Sequence, residues 1–382
     1  MEVRHEGVHQ QHLKVAVVLR ESAAVSNSPL ASMRPPASLP DYCMPVCNGI
    51  FRTLQPPHPV SPSPSVPDID HELASRLDEA WGDPAAWVAH GLHWTHLPAV
   101  KARLREQVTG DASIEPLQWF FSVVAAHQPV PLRRVLLLGC GQGGDERMVA
   151  RSGWADEIVA IDLSAKALDI AREQAKAAGA RIRYVQADMN SLPVGQSGFE
   201  PGSFDAVLGI SSLHHCANLE GLYAAVAELL APAGWFYLDE YVGPDRFQCA
   251  NSQLRFMNQL VDMLPHYLRT TGDGQLKGNL WRPSVDEVVA VDPTEAVRSS
   301  EVLPLLDRHF DVFEHRPYGG VLMRVVLAAI AQNFMNAEAE PWLHALLRAE
   351  DDLFRSGRVQ WDLACVIARV RTAATASPSP YR

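Results

Sequence analysis

The chain of 382 residues has no apolar run of membrane-spanning length. Its N-terminal segment offers only Val15-Ala16-Val17-Val18-Leu19, too short for a signal-peptide core or a membrane helix. No membrane partner is therefore expected. Cysteine is sparse: Cys43, Cys47, Cys140, Cys216, Cys249 and Cys365 are scattered and give no disulfide framework, which points to a reducing cytoplasm. No C-x-x-C pair is present, and the sequence gives no sign of a metal site. Charge is also low, at 20% of residues. The first 68 residues hold equal numbers of basic and acidic side chains, so the net charge of −11 belongs to the remainder. An acidic body argues against a nucleic-acid backbone as partner.

What is present divides unevenly along the chain. Residues 1–67 contain 11 of the 28 prolines, with runs such as Pro56-Pro57-His58-Pro59, and no lasting hydrophobic period. Such a segment cannot bury enough surface to offset its ordering entropy, and it reads as a disordered tail. Residues 68–130 read as a helical cap rich in aromatics, among them Trp81, Trp87, Trp94, Trp119, Phe120 and Phe121. Those rings serve either to fill a core or to cover a ligand. Residues 131–372 form the main domain and 373–382 a second tail. Apolar content of 47% supports a sizeable core.

The most informative stretch is Gly139-Cys140-Gly141-Gln142-Gly143-Gly144, directly after Val135-Leu136-Leu137-Leu138. An unbroken apolar run reads as a buried parallel strand. The glycines make a tight turn, and a helix beginning at Asp145 aims backbone N–H groups at whatever rests on it. Gly139, Gly141 and Gly144 satisfy the dinucleotide fingerprint G-x-G-x-x-G. Gly139, Gly141 and Gly143 equally satisfy the G-x-G-x-G turn of S-adenosylmethionine enzymes. The next strand ends in Asp162, a carboxylate able to take both hydroxyls of a ribose in either case. Asp162 and Asp188 also have a plainer reading as helix caps.

The order of the following pieces separates the two. L-L-G-C-G-Q-G-G is followed by I-V-A-I-D-L-S, V-Q-A-D-M-N, F-D-A-V-L-G-I-S-S-L-H-H and L-L-A-P-A-G-W-F-Y-L-D-E. Over about Arg133 to Glu240, and again at the C-terminus, the chain resembles class I S-adenosylmethionine-dependent methyltransferases. It is similar to a bacterial subgroup with a long insertion after the fifth strand, on E-Y-V-G-P-x-R-F-Q, D-P-T-E-A-V-R-S-S-E and P-Y-G-G. The resemblance implies a doubly wound, seven-stranded, mostly parallel α/β sheet whose last strand is antiparallel. It also implies S-adenosyl-L-methionine as cofactor. The methionine moiety would lie over Gly139, Cys140, Gly141 and Gly143, the ribose on Asp162 beside Leu163, and the adenine against Asp188 and Met189. The family often has an acid two places before the first glycine; here that place is Leu137. Amine recognition is then expected from backbone carbonyls or from the loop around Ser211. The family's DNA-amino versions carry N/D-P-P-Y/F after the fourth strand, where this chain reads S-S-L-H. An NAD(P)-dependent oxidoreductase and a donor-binding protein that no longer transfers methyl are the competing functions.

In an open α/β sheet ligands bind beyond the carboxyl ends of the strands. An insertion leaving the fifth strand, residues 241–298, therefore lands beside the transferable methyl and is read as the acceptor lid. A second helical insertion spans 321–356. The expected acceptor is a small molecule or a glycan, with O-methylation. Base candidates near the strand ends are Glu240, Tyr241, His214 and His215. For Glu240 the competing reading is a lid anchor paired with Arg246 or Arg298.

Overall fold

The computed structural model describes residues 69–82 and 92–371. Both tails, Trp87 and the pair Cys43 and Cys47 lie outside the described residues. The elements, in chain order, are α1 (His71–Trp81), α2 (Pro98–Thr109), α3 (Pro116–Ala125), β1 (Leu132–Leu138), α4 (Asp145–Ser152), β2 (Ala155–Asp162), α5 (Ala165–Ala177), β3 (Arg183–Gln186) and β4 (Phe204–Ile210). They continue with α6 (Leu219–Leu229), β5 (Leu230–Tyr241), α7 (Asn251–Asp262), α8 (His266–Arg269), α9 (Val285–Val291), α10 (Val302–Leu306), β6 (Phe310–Tyr318), α11 (Val321–Val326), α12 (Glu340–Arg355) and β7 (Leu363–Val370).

The seven strands form one sheet in the order β3-β2-β1-β4-β5-β7-β6. Strands β1 to β5 pair in parallel, and β7 is inserted antiparallel between β5 and β6. This is the doubly wound, Rossmann-like sheet with a reversed last strand that the sequence predicts. Val135 to Leu138 are all buried because both faces of β1 are covered. Leu136, Val159, Val207 and Phe236 pack under α6. Val135, Ala160, Leu208 and Tyr237 pack on the other face against Phe120, Phe121 and Val149. The chain order reverses between β1 and β4, so the crevice opens at their carboxyl ends.

The helical segments do not form one cap. Helix α1 packs Ala74 and Leu77 on Leu163, beside the crevice. Helix α3 completes a face of the sheet. Trp94, Leu97 and Val100, around the start of α2, join a third core with α7, α11 and α12. Three stretches distant in sequence thus share one apolar interior.

Two boundaries differ from the sequence expectation. Strand β5 starts at Leu230, before Pro232-Ala233-Gly234, because the extra residues are absorbed where the β4–β5 register shifts. Within the helical insertion expected over 321–356, the first helix stops at Val326. Lys277 Nζ caps the carbonyls of Val325 and Ala328 at 2.7 and 2.6 Å, and Ala329 turns to φ 58°. A short 3-10 turn, Ala331–Phe334, follows.

Candidate functional site

A cleft of about 220 Å³ lies at the carboxyl ends of β1 and β4. The turn after β1 has the shape its glycines allow. Gly139 sits at φ 60°, and a Cβ there would stand 2.7 Å from Ser212 Cβ, so the two loops meet only because residue 139 has no side chain. Gly141, at φ 54°, turns its α-carbon to open space, with nothing within 4 Å of an added Cβ. Its N–H donates to Asp162 Oδ2 at 2.7 Å, while Ser164 N–H donates to Oδ1 at 2.9 Å. Burial raises the pKa of Asp162, against those backbone hydrogen bonds. Glu146 stiffens the turn from behind, accepting from Gly144 N–H and from the Tyr184 hydroxyl at 2.7 Å.

All nine residues expected at the donor, Gly139, Cys140, Gly141, Gly143, Asp162, Leu163, Asp188, Met189 and Ser211, line this cleft. The bare backbone at Gly141 and the oriented carboxylate of Asp162 fit a nucleoside bearing a sulfonium and an amino acid end. Sequence reasoning missed Asp145. Leu137 lines the cleft as an apolar residue, and Asp145, at the start of α4, adds a carboxylate to the same cleft. Burial and the neighbouring carboxylates Glu146 and Asp239 push its pKa up to about 7. The signal was available in the sequence as an acid following the last glycine of the turn.

A roof closes over the cleft from α1. Leu73, Leu77 and Trp81 line it. Asp78 accepts from Ser164 Oγ at 2.6 Å and from Lys166 N–H at 3.1 Å, which fixes α1 on the start of α5. Trp81 Nε1 donates to Asp292 Oδ2 at 2.9 Å and Arg76 donates to Val289 O, so the same helix is tied to the insertion.

The base candidates separate. His215 lines the cleft together with Thr294. Its Nδ1 is 2.9 Å from Thr294 Oγ1 and 3.8 Å from Asp292 Oδ2. Burial disfavours the charged form of Asp292, but His215 and the hydrogen bonds from Thr294 hold its pKa below the ordinary carboxylate value. His214, Glu240 and Tyr241 do not line the cleft; they stand behind it. Glu240 Oε1 accepts the backbone N–H groups of Ser212 and of Leu213, the latter at 2.7 Å, and Oε2 is 2.8 Å from His214 Nδ1. Glu240 thus anchors the loop after β4. Its side-chain partner is His214, not Arg246 or Arg298. Arg298 is held by Glu220 and Glu301, and Arg246 donates to the carbonyl of Glu295 at 2.8 Å. Tyr241 donates to Pro244 O. Burial works against a charged His214, but the hydrogen bond and charge of Glu240, with the charge of Glu295, raise its pKa.

The insertion reaches this place by an irregular loop, 292–298, whose Val297 N–H donates to His214 O at 3.0 Å. Three motifs far apart in sequence, at His214-His215, Glu240-Tyr241 and Asp292 to Arg298, meet here. No described helix is long and apolar enough to cross a membrane.

Residues 135–234 match the family described as "Methyltransferase domain". A sterol 24-C-methyltransferase of Candida albicans is 34% identical over 125 residues, covering 32% of this chain and 31% of the relative. A fatty-acid O-methyltransferase of Mycolicibacterium smegmatis is 33% identical over 112 residues, covering 29% and 38%. The chain thus spans about a third of the length of these curated relatives. Among solved structures, phosphoethanolamine N-methyltransferase 2 of Haemonchus contortus aligns with a TM-score of 0.42 and 15% identity, over 73% of this chain and 58% of that one.

Proposed function

We propose that this chain, built around a class I S-adenosylmethionine-dependent methyltransferase domain, methylates a hydroxyl of a small-molecule or carbohydrate-type acceptor. The observation that carries the reading is one cleft with two kinds of wall. The glycine turn, Asp162, Asp188 and Met189 line it on the β1–β3 side, and His215 and Thr294 line it on the β4 side. The names of the relatives, one acting on a sterol carbon and one on a fatty-acid oxygen, fit a small-molecule acceptor and leave the atom to this chain's own residues.

When bound, S-adenosylmethionine supplies a methyl group on a sulfonium that is already electrophilic. The protein's share is therefore mostly alignment, worth about 7–11 kcal/mol when the reacting atoms are held in line. Asp162 orients the ribose, with Asp188 and Met189 beside the adenine. Asp145 receives the α-ammonium, in place of the acid missing at Leu137. Leu73, Leu77 and Trp81 exclude water from above. The acceptor hydroxyl loses its proton on the β4 side, where His215 is backed by Asp292 and Thr294. Proton removal of this kind contributes roughly 10²–10⁴-fold. Glu240 holds the loop that carries both histidines.

Isothermal titration with S-adenosylhomocysteine, with NADH as control, tests the donor. Saturable binding of the first and none of the second is expected; the reverse pattern refutes the reading. Transfer of labelled methyl to a panel of sugars, hydroxy acids and fatty acids tests the acceptor class, and label found only on carbon or nitrogen excludes O-methylation.

A further inference from the structure

The two histidines and the insertion converge more closely than loop anchoring requires. His214, His215 and Glu295 each bring one donor atom to within 4.8 Å of the others. His214 Nε2 is 3.6 Å from Glu295 Oε1. The imidazole rings lie 4.3 Å apart and tilt by 38°. Each ring also has an oxygen at its Nδ1: Glu240 Oε2 for His214 and Thr294 Oγ1, with Asp292 behind it, for His215. That is the outer arrangement that metal-binding histidines use to fix the ring and its tautomer. Two imidazoles and one carboxylate with open positions left over form a recurring site for divalent first-row metals.

Charge points the same way. Glu240, Asp292 and Glu295 are all buried, Glu295 being the most exposed of them at 4%. Buried carboxylates are costly unless cations or hydrogen bonds compensate them. Arg246 is a cation acting on Asp292 and Glu295, and Arg324 is one acting on His214. Two neighbouring imidazoles this close repel if both are protonated, whereas a metal takes both as neutral donors.

We propose that His214, His215 and Glu295 bind one divalent transition-metal ion, Zn²⁺ or a metal of similar size, behind the β4 side of the cleft with His215 at its edge. This deepens the reading of the site as one for O-methylation and rests on it. Of the three ligands only His215 borders the cleft, beside Thr294, so an acceptor oxygen would reach the open coordination position past these two residues. A bound metal lowers the pKa of a coordinated hydroxyl. With the metal bound, His215 serves as a metal donor and not as the base: the acceptor's O–H bond breaks and its proton leaves to solvent. The oxygen then forms the bond to the methyl carbon as the carbon–sulfur bond breaks, its electron pair returning to sulfur to give the neutral thioether. Glu240, Asp292 and Thr294 are positioning residues in this arrangement. No spacing in the sequence pointed to this site because Glu295 comes from the insertion, far along the chain from two adjacent histidines.

The test uses the full chain, stripped with chelator and titrated with Co²⁺ and Zn²⁺, with S-adenosylhomocysteine binding measured in parallel. One equivalent of Co²⁺ is expected, with a visible d–d absorption that Zn²⁺ displaces. Glu295→Gln and His215→Gln should lose stoichiometric binding at micromolar metal. Thr294→Val should weaken it by about 10-fold, as loss of an outer partner does. Each variant should still bind S-adenosylhomocysteine, which shows that it is folded. If the wild type binds no stoichiometric cobalt while S-adenosylhomocysteine binding is intact, or if Glu295→Gln binds metal as well as wild type, the metal site is refuted. A protonated His214 between Glu240 and Glu295 then stands in its place. Failure of S-adenosylhomocysteine to bind the wild type refutes instead the function on which the proposal rests.

Discussion

On the β1 side of the cleft the wall is one unbroken run, Gly139 to Asp145, completed by the ends of the next two strands. On the β4 side His215 meets Thr294 from 79 residues further along the chain. The first wall is held by backbone: positive-φ glycines and N–H groups that point at Asp162. The second is held by side chains, through Glu240, His214, Asp292 and Trp81. A wall made of backbone tolerates change in most side chains but none in its glycines. A wall made of buried polar side chains fails by leaving a partner unsatisfied.

The sharpest way to break this contrast is to add a side chain on one side and remove one on the other. Glu240→Ala strips the partner from His214 and from two loop N–H groups. It should cost about 3–5 kcal/mol, the usual penalty for breaking a buried charged pair. Chemical denaturation reads it. A base role for Glu240 requires the opposite pattern: Glu240→Gln would leave stability intact and abolish turnover. Gly139→Val forces Cβ against Ser212 at a left-handed φ. It should destabilise by about 2–4 kcal/mol and abolish S-adenosylhomocysteine binding. Normal binding by this variant would show that the turn is not the donor cradle.

Asp162→Ala removes an acceptor that serves both the turn and the proposed ribose. A charged hydrogen bond of about 1.5–3 kcal/mol corresponds to a loss of roughly 10–100-fold in donor affinity by calorimetry. Asp145 gives a pH signature. Its pKa rises from the ordinary 3.8 to about 7 in the folded chain. The folded state therefore keeps this proton while the unfolded state has already released it. The contribution of Asp145 to stability falls as pH rises between these values and is at its lowest above 7. Asp145→Asn should accordingly gain stability relative to wild type across that window. Donor affinity should run the other way, rising in wild type between about pH 6 and 8 as the carboxylate ionises to meet the ammonium, and staying flat in Asp145→Asn. A flat wild-type profile would remove Asp145 from amine binding. The smallest effect is expected from Trp81→Phe, which keeps the apolar roof but loses the hydrogen bond to Asp292. About 1 kcal/mol, or a few-fold rise in acceptor KM, is the expected size.

Much of the sheet was legible because short-range signals set it. Val135 to Leu138, cut off by the glycines, reads as a buried strand, Ser164 caps α5 by accepting from Ala167 N–H, and the glycines announce the turn. The β5 start and the α11 end were not legible. One depends on a register shift against β4, the other on Lys277 arriving from the insertion. The site divides in the same way. The nine residues that the family resemblance placed at the donor all line the cleft. Of the four base candidates only His215 does. Glu240 and His214 were correctly placed near the strand ends, but β-strand alternation and the path of the loop turned them away from the cleft, toward each other.

By itself, then, the sequence determined which segments are strands along the chain, the glycine turn and the carboxylates that tip the second and third strands; their order in the sheet came from the family resemblance. Those features depend on residues within a few positions of one another, so local sterics and apolar periodicity suffice to specify them. Only the tertiary structure decided that Asp292, Thr294 and Glu295 face His214 and His215, that α1 roofs the cleft, and that Asp145 lines the same cleft as Leu137. These meetings are contacts between chain segments whose approach is governed by how the cores pack, and no local pattern encodes which partner a buried polar group will find.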